Sequence, residues 1–294
     1  LVAVDGADLP RWTAGAHLDI VVAPEFLRQY SMCGDPADRS CYEIAVLQEP
    51  EGRGGSQLMH RIFEPGRRVF VSKPINHFEL DPSAKLSLLF GGGIGVTPML
   101  AFAHELHRKG GRFRLMYSAS QKSKAAFDGA FDGLAWADRV SRHYSDQGTR
   151  LDIARDVPAY DAGTHIYVCG PDAYMSAILD HARSIGYPEA ALHAEFFTVP
   201  ELPEWENHPF EIERANGQKI PVTATQSASD ALIAAGIPVD VKCADGLCGV
   251  CKCTVLSGEV EHRDFVLSAA QRETTVILCQ SRAAEAGGVL KLDI

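Results

Sequence analysis

Near its C-terminus the chain carries Cys243-Ala-Asp-Gly-Leu-Cys248-Gly-Val-Cys251, and a fourth cysteine, Cys279, follows at a distance. C-x4-C-x2-C with one remote cysteine is the plant-type spacing for a 2Fe–2S cluster, which is held by four thiolates. The tight loop wraps one side of the cluster, and the distant cysteine closes the other. Gly246 and Gly249 stand where such a loop needs unusual backbone angles and close approach of amides to sulfur. Hydrogen bonds from those amides help to set the potential. A zinc site is the rival reading, but structural zinc favours two short ligand pairs, and here one C-x2-C has a single remote partner. A one-electron carrier is idle alone, so the rest of the chain should supply its electrons.

Bulk properties narrow the partners. The net charge of −10 argues against nucleic acid and anionic membrane surfaces. Residues 86–103 contain no charged side chain, but glycines, Ser87, Thr97 and Pro98 interrupt them, so they read as strand, turn and helix, with no membrane span. The N-terminus has no basic-then-apolar signal pattern. Eight cysteines, four of them at cluster spacing, suggest a reducing compartment, the cytoplasm, and no disulfide framework. Cys33, Cys41, Cys169 and Cys253 default to free thiols. The chain opens at Leu1 inside a strand-like Leu1-Val-Ala-Val, which leaves open a standalone protein or part of a longer polypeptide.

Residues 1–80 contain short β-rich runs, LVAV, HLDIVV, YEIAVLQ and RRVFVSKP, spaced as in an antiparallel barrel or sandwich. Arg28-Gln-Tyr30-Ser31 sits at a strand start. Gly52-Arg53-Gly54-Gly55-Ser56 precedes the helix-like QLMHRIF, and a glycine turn opening a helix presents amides to an anion. Arg28 and Arg53 add charge and Ser56 a hydroxyl or N-cap. Tyr30 suits packing on a flat aromatic ring, with Ser31 near its polar edge. Each motif alone is equally compatible with an ordinary loop.

From residue 81 to 200 the pattern becomes strand–helix alternation, as in a parallel sheet. Leu86–Phe90 reads as a buried strand that runs into Gly91-Gly-Gly93-Ile-Gly95-Val-Thr97-Pro98 and a helix. Thr97 is a good N-cap and Pro98 a good first helical residue. This order cradles a pyrophosphate, although the spacing is not G-x-G-x-x-G, and a merely tight βα turn is the alternative. After the next strand, Arg112–Tyr117, come Ser118, Ser120 and Lys122, where a ribose 2′ position is read. The strand Thr164–Val168 leads to Cys169-Gly170-Pro171, a corner at the sheet's carboxyl edge. Cys169 reads there either as a site residue or as a small buried hydrophobe. Phe196 and Phe197 read as strand core or as an aromatic lid.

Residues 201–207 are a Pro- and acid-rich linker. Residues 208–294 contain a hairpin about Asn216-Gly217, a helix from Ser227-Ala-Ser229-Asp230, the cysteine loop and a late strand to Cys279. That order is a compact β-grasp. The predicted architecture is multidomain: an antiparallel β-barrel, an α/β nucleotide-binding domain and a β-grasp ferredoxin-like α+β domain.

Taken together, the motifs resemble the phthalate dioxygenase reductase family and the reductase portion of self-sufficient cytochrome P450 fusions. The run Gly258-x-x-x-His262-Arg-Asp264 and the Ser281-Arg-Ala after Cys279 fit as well. The resemblance implies FMN on residues 1–80, NADH or NADPH on 81–200 and the 2Fe–2S cluster on Cys243, Cys248, Cys251 and Cys279. It puts Tyr30 and Ser31 at the isoalloxazine and Arg28, Arg53, Gly54, Gly55 and Ser56 around the phosphate. Gly93, Gly95 and Thr97 meet the nucleotide's pyrophosphate, Ser118 and Ser120 its ribose side, and Cys169, Gly170 and Pro171 its nicotinamide end. Phe197 covers the flavin where nicotinamide enters, so Ser31, Cys169 and Phe197 are the implied catalytic positions. The implied acceptor is an oxygenase component, or a fused haem or Rieske domain. Two departures stand out: residues usual ahead of the barrel are missing, and the arginine common near Ser120 is absent. The second leaves NADH versus NADPH open, with a lean to NADH.

Overall fold

The computed structural model describes residues 1–23, 26–52, 54–199 and 205–294. The chain forms two compact units, Leu1–Ala194 and Glu195–Ile294. Arg53 and most of the expected 201–207 linker lie outside the described residues.

The first unit begins with β1 (Ala16–Ala23), whose Leu18, Ile20 and Val22 alternate inward and are 4% exposed or less. Period-two burial of this kind is what one covered face of an antiparallel sheet demands. β1 pairs with β2 (Phe26–Ser31), setting Leu18 opposite Tyr30 and Ile20 opposite Arg28. Helix α1 (Gly55–Ile62) follows, and then the two-residue strands β3 (Phe70–Val71) and β4 (Ile75–Asn76), both paired to β1. The expected barrel does not close among the described residues. The YEIAVLQ run contributes a single bridge, Met32 to Ile44, and Leu1–Val4 is not a strand: its amino group and carbonyl bond instead to the Tyr42 backbone. Without a continuous ladder from those segments there is nothing to join the sheet's edges.

A five-stranded sheet follows in the order β7-β6-β5-β8-β9, with β7, β6, β5 and β8 parallel to one another. Its strands are β5 (Leu86–Gly92), β6 (Phe113–Ala119), β7 (Val140–Tyr144), β8 (Thr164–Cys169) and β9 (Leu192–Glu195). Every residue of β8 is buried, and so is β5 after Leu86, as near-continuous apolar strands covered on both faces should be. Helices α2 (Val96–Arg108), the short α3 (Ile153–Asp156) and α4 (Asp172–Ser184) connect them.

The division expected at residue 80 falls inside this unit, where the two sheets share one hydrophobic core. Phe78, Phe102 and Tyr167 form a mutually tilted aromatic cluster, with centroids 5.1–6.1 Å apart. A buried carboxylate adds a polar link. Glu105 Oε2, from α2, accepts the Ala14 amide at 3.0 Å, while Oε1 pairs with Lys109 at 2.6 Å.

The second unit opens, as the Asn-Gly turn predicts, with a hairpin of β10 (Phe210–Arg214) and β11 (Lys219–Val222), with Gly217 at φ 83°. Helix α5 (Ala228–Ala234) starts in a capping box: Ser227 Oγ accepts the Asp230 amide and the Asp230 carboxylate accepts the Ser227 amide. The chain continues through β12 (Lys252–Ser257), β13 (Val260–Glu261), α6 (Ala269–Arg272), β14 (Thr275–Ile277), β15 (Arg282–Ala283) and β16 (Val289–Leu292). The main sheet runs β11-β10-β16-β12-β14, with β16 parallel to β10. A terminal strand set parallel beside the first strand of the hairpin is the β-grasp arrangement expected above.

Two arginines make the second unit's loops specific. Arg282 donates to the carbonyls of Thr223, His208 and Gln226. Arg263 stacks 4.8 Å above Trp205 and donates to Asn207 Oδ1 and the Glu206 carbonyl.

Glu105→Ala leaves the buried Ala14 amide without its acceptor and should destabilise the first unit by about 1–3 kcal/mol. Lys109→Ala, at an exposed partner, should cost under about 1 kcal/mol. Urea unfolding midpoints check the contrast; equal shifts would contradict it.

Candidate redox and nucleotide sites

The cysteine loop brings all four thiols together, although the fold alone would scatter them among a loop, β12's start and β14's end. Hydrogen bonds from the Cys248 and Cys279 thiols hold the Cys243 thiol far below its ordinary range, with the Asp245 and Leu247 amides acting in the same direction. The Cys279 thiol lowers Cys251 to about 7. The same contacts push Cys248 and Cys279 upward. A chain of thiol contacts, Cys248–Cys243–Cys279–Cys251, two of them held low and two high, gathers the four sulfurs that an iron–sulfur core needs. Cys248, Cys251 and Cys279 are 7% exposed or less.

The backbone is bent to deliver this. Ala244 has φ 56°, the only positive φ outside glycine among the described residues, and Gly246 and Gly249 follow at 74° and 67°. Strain of that kind marks a loop held for function. Its outer anchors are the Gln280 side chain, donating to the Ala244 carbonyl at 2.6 Å, and the Phe265 amide, donating to the Gly246 carbonyl at 3.1 Å. A Cβ on Gly246 would stand 3.2 Å from the Asp264 Cα.

Asp264, fully buried as a side chain, accepts the Leu267 amide and lies 3.3 Å from His262 Nδ1 and 3.6 Å from Arg272. The Ser281 hydroxyl, which accepts the Arg263 amide, completes the support. Thus the His262-Arg-Asp264 and Ser281-Arg runs serve the loop from behind. Sequence reading marked them without a role. The fifth cysteine of this unit, Cys253, keeps away from the set: its thiol donates to backbone carbonyls.

In the first unit the R-x-Y-S and glycine-turn motifs do meet. A Cβ on Gly55 would lie 2.5 Å from Arg28 Nε, so only glycine lets the guanidinium lie on the turn. Gly54, at φ 83°, opens α1 with no side-chain cap, which leaves the helix N-terminus open to an anion. Ser56 is not the cap; its hydroxyl accepts the Glu49 amide at 3.1 Å. A groove of about 870 Å³ runs beside Gly54, Phe26, Gln57 and Arg61. Tyr30 is half-buried, and burial raises its hydroxyl pKa against the opposing pull of Arg28. Ser31 is buried opposite His17.

The two corners of the parallel sheet also meet. Gly91 pairs with Cys169 across β5 and β8. A Cβ on Gly95 would fall 2.4 Å from the Cys169 carbonyl, and one on Gly170 would fall 2.9 Å from the Gly92 Cα. The glycines therefore let two backbone corners touch at the carboxyl edge, where open α/β sheets bind ligands. Gly93, at φ 56°, has open space around it.

Helix α2 begins at Val96 after Gly95 without a side-chain cap. Thr97 is thus inside the helix, contrary to the N-cap expectation; its hydroxyl donates to the Ile94 carbonyl at 3.0 Å. Pro98 is correspondingly the third helical residue. Pro171 caps α4 and packs at Gly92. Cys169 is fully buried and belongs to the core.

At the same edge the Ser118 and Tyr174 hydroxyls are buried, and neither makes a hydrogen bond of good geometry among the described residues. Burial pushes the Tyr174 phenol upward, with the nearby Ser118 hydroxyl opposing. Buried polar atoms left this way are costly unless a ligand or water serves them. Tyr174 carried no sequence signal, because its place depends on how α4 returns over Gly92. Ser120 is exposed; Lys122 is drawn to Asp128 at 3.8 Å and to the Tyr144 ring. Phe197 lies in the second unit and is 42% exposed, whereas its neighbour Phe196 packs on Phe265.

Residues 211–284 match the family described as the 2Fe-2S iron-sulfur cluster binding domain. The vanillate O-demethylase oxidoreductase of Pseudomonas sp. strain HR199 is 40% identical, over 99% of this chain and 93% of that protein. The solved phthalate dioxygenase reductase, described as carrying electrons from pyridine nucleotides to 2Fe–2S, is 35% identical over all of this chain and 91% of its own, with a TM-score of 0.68. An intact type IV self-sufficient cytochrome P450 monooxygenase matches with TM-score 0.90 and 36% identity, over all of this chain and 38% of its own. Fold, site and similarity define an NAD(P)H-dependent flavin and iron–sulfur oxidoreductase, an oxygenase reductase. The chain belongs to the phthalate dioxygenase reductase family. No helix is long and apolar enough to cross a membrane among the described residues.

Gly95→Ala places a methyl against the Cys169 carbonyl and should slow nucleotide-driven flavin reduction, with weaker nucleotide binding, by at least about tenfold, or about 1.4 kcal/mol. Gly129→Ala, with nothing within 4 Å of its Cβ position, should leave the rate unchanged. Stopped-flow absorbance, normalised to bound flavin, reads both.

Proposed function

We propose that this chain takes electrons from NADH or NADPH in its first unit and delivers them singly from the cysteine loop to an oxygenase. The convergence of Cys243, Cys248, Cys251 and Cys279 on one another carries the reading. The groups fit the residues present: thiols in contact, a cationic side chain on an uncapped helix start, and two glycine corners beside buried hydroxyls.

When bound, FMN supplies the exchange between two-electron and one-electron chemistry, and the 2Fe–2S cluster supplies single-electron carriage. The chain's own work is positioning. Arg28 lies on the Gly54-Gly55-Ser56 turn, where the flavin phosphate is proposed to sit, with Tyr30 and Ser31 beside the ring system. Arg53 is assigned to the same phosphate from sequence alone. Gly93, Gly95 and the amides of the α2 start are assigned to the nucleotide's pyrophosphate, with Thr97 shaping the helix start through Ile94. Ser118, joined by Tyr174, is assigned to polar atoms on the nucleotide's ribose and nicotinamide side, and Ser120 to the outer ribose. Cys169, Gly170 and Pro171 form the wall of that corner.

Lys122 is already drawn to Asp128, and Arg142 donates to Asp132 at 2.6 Å. Neither is therefore a spare cation for a 2′-phosphate, which supports NADH as the preferred donor. The acceptor is proposed to be an oxygenase component. The likeness to the self-sufficient P450 supports a second reading, in which the acceptor is a haem domain of the same polypeptide.

Cys248→Ser and Cys279→Ser should each abolish electron delivery to cytochrome c or an oxygenase. Each should keep more than about half of the NADH-driven reduction of ferricyanide, which a flavin serves directly. Equal loss of both activities would make the loop a purely structural element and refute the relay.

A further inference from the structure

The edge of the parallel sheet opposite Cys169 carries a second group of metal-ligating side chains that the relay does not use. His165 and Tyr167 lie two residues apart on β8 and so share one face of the strand. His193, on β9, stacks on the Tyr167 ring at 4.5 Å and 10°, and on the His165 ring at 5.3 Å and 12°. The two rings are also hydrogen-bonded to each other, His165 Nδ1 to His193 Nε2 at 3.0 Å. Asp81, from the turn ahead of β5, places Oδ2 3.9 Å from His165 Nδ1. Its other oxygen is held by the Ser83 amide at 2.7 Å and the Ser83 hydroxyl at 2.6 Å, while the Asp81 amide donates to Tyr167 Oη at 2.8 Å. One ligand atom from each of the three residues lies within 4.8 Å of the others.

We propose that Asp81, His165 and His193 form a binding site for a divalent first-row transition-metal ion of the Zn2+ type, independent of the four cysteines. Two imidazoles and a carboxylate are a ligand set for such ions, with positions left for water. A tetrahedral ion bound at about 2.0–2.1 Å spaces two imidazole nitrogens roughly 3.3 Å apart, so an ion that takes the place of the His165–His193 hydrogen bond asks that 3.0 Å pair to open only slightly. The supporting bonds are those that metal sites use to orient their ligands: Ser83 turns Asp81, and Tyr167 holds both the Asp81 backbone and the His193 ring.

Asp81, 31% exposed as a side chain, leaves the ion a path from solvent. A bound ion would tie β8, β9 and the turn before β5 to one point. Its consequence is therefore mechanical, a clamp on the final strand of the first unit.

Isothermal titration of untagged, cluster-loaded protein with Zn2+ in chelator-free buffer tests the site. Wild type should bind one Zn2+ per chain with flavin and cluster absorbance unchanged. Affinity should fall at least about tenfold in Asp81→Asn and in His193→Gln. Zn2+ should also raise the thermal midpoint of wild type, as any ligand of the native state does, and not that of either variant. Asp81→Asn, at a partly exposed position and nearly isosteric, decides the matter alone if His193→Gln does not fold. No binding by wild type, equal binding by both variants, or binding only with loss of cluster absorbance would each overturn the site.

Discussion

Everything that the second unit does depends on four sulfurs being held in contact, and sulfurs in contact do not hold themselves. Thiolates repel, and thiol hydrogen bonds are weak, so those between the cysteines need a backbone that holds the sulfurs in place. It comes from a loop in three left-handed conformations, Ala244, Gly246 and Gly249. That loop is pinned from outside by Gln280 and Phe265 and backed by the buried carboxylate of Asp264. The pins come from two parts of the chain: Asp264 and Phe265 from the segment ahead of α6, and Gln280 from the residue after Cys279. The β-grasp sheet, with β16 laid parallel beside β10, is the frame that brings those parts together.

The first unit solves a different problem with a related device. Two βα corners must approach so closely that any side chain would intrude, and Gly91, Gly92, Gly95 and Gly170 remove those side chains. The result is bare backbone at a helix start beside buried hydroxyls that want a partner. Arg28 over Gly55 repeats the device at the start of α1. Glycine here provides close approach, which a cofactor with phosphates requires.

Much of this was legible in the chain, where the physics is local. The C-x4-C-x2-C spacing, the helix start at Ser227-Ala-Ser229-Asp230, the Asn216-Gly217 hairpin and the strand–helix alternation after residue 81 each announce themselves within a few residues. What depends on partners distant in sequence was not legible. YEIAVLQ has every strand preference, yet finds a single bridge, so the barrel does not close. Thr97 has the chemistry of an N-cap, but Gly95 takes that place and the Thr97 hydroxyl turns to Ile94. Tyr174, Asp264 and the His165–His193 pair emerge only when helices and strands fold back over one another. No spacing rule joins Asp81 to residues on β8 and β9.

The central claim is that the nucleotide corner and the cysteine loop belong to a single electron path. Anaerobic titration of the purified protein with NADH, followed by absorbance for the flavin and by electron paramagnetic resonance for the cluster, tests it directly. Both signals should change as NADH is added, with the cluster accepting one electron per chain. Flavin bleaching with the cluster left oxidised, or purification of folded protein that binds no flavin, would contradict the claim.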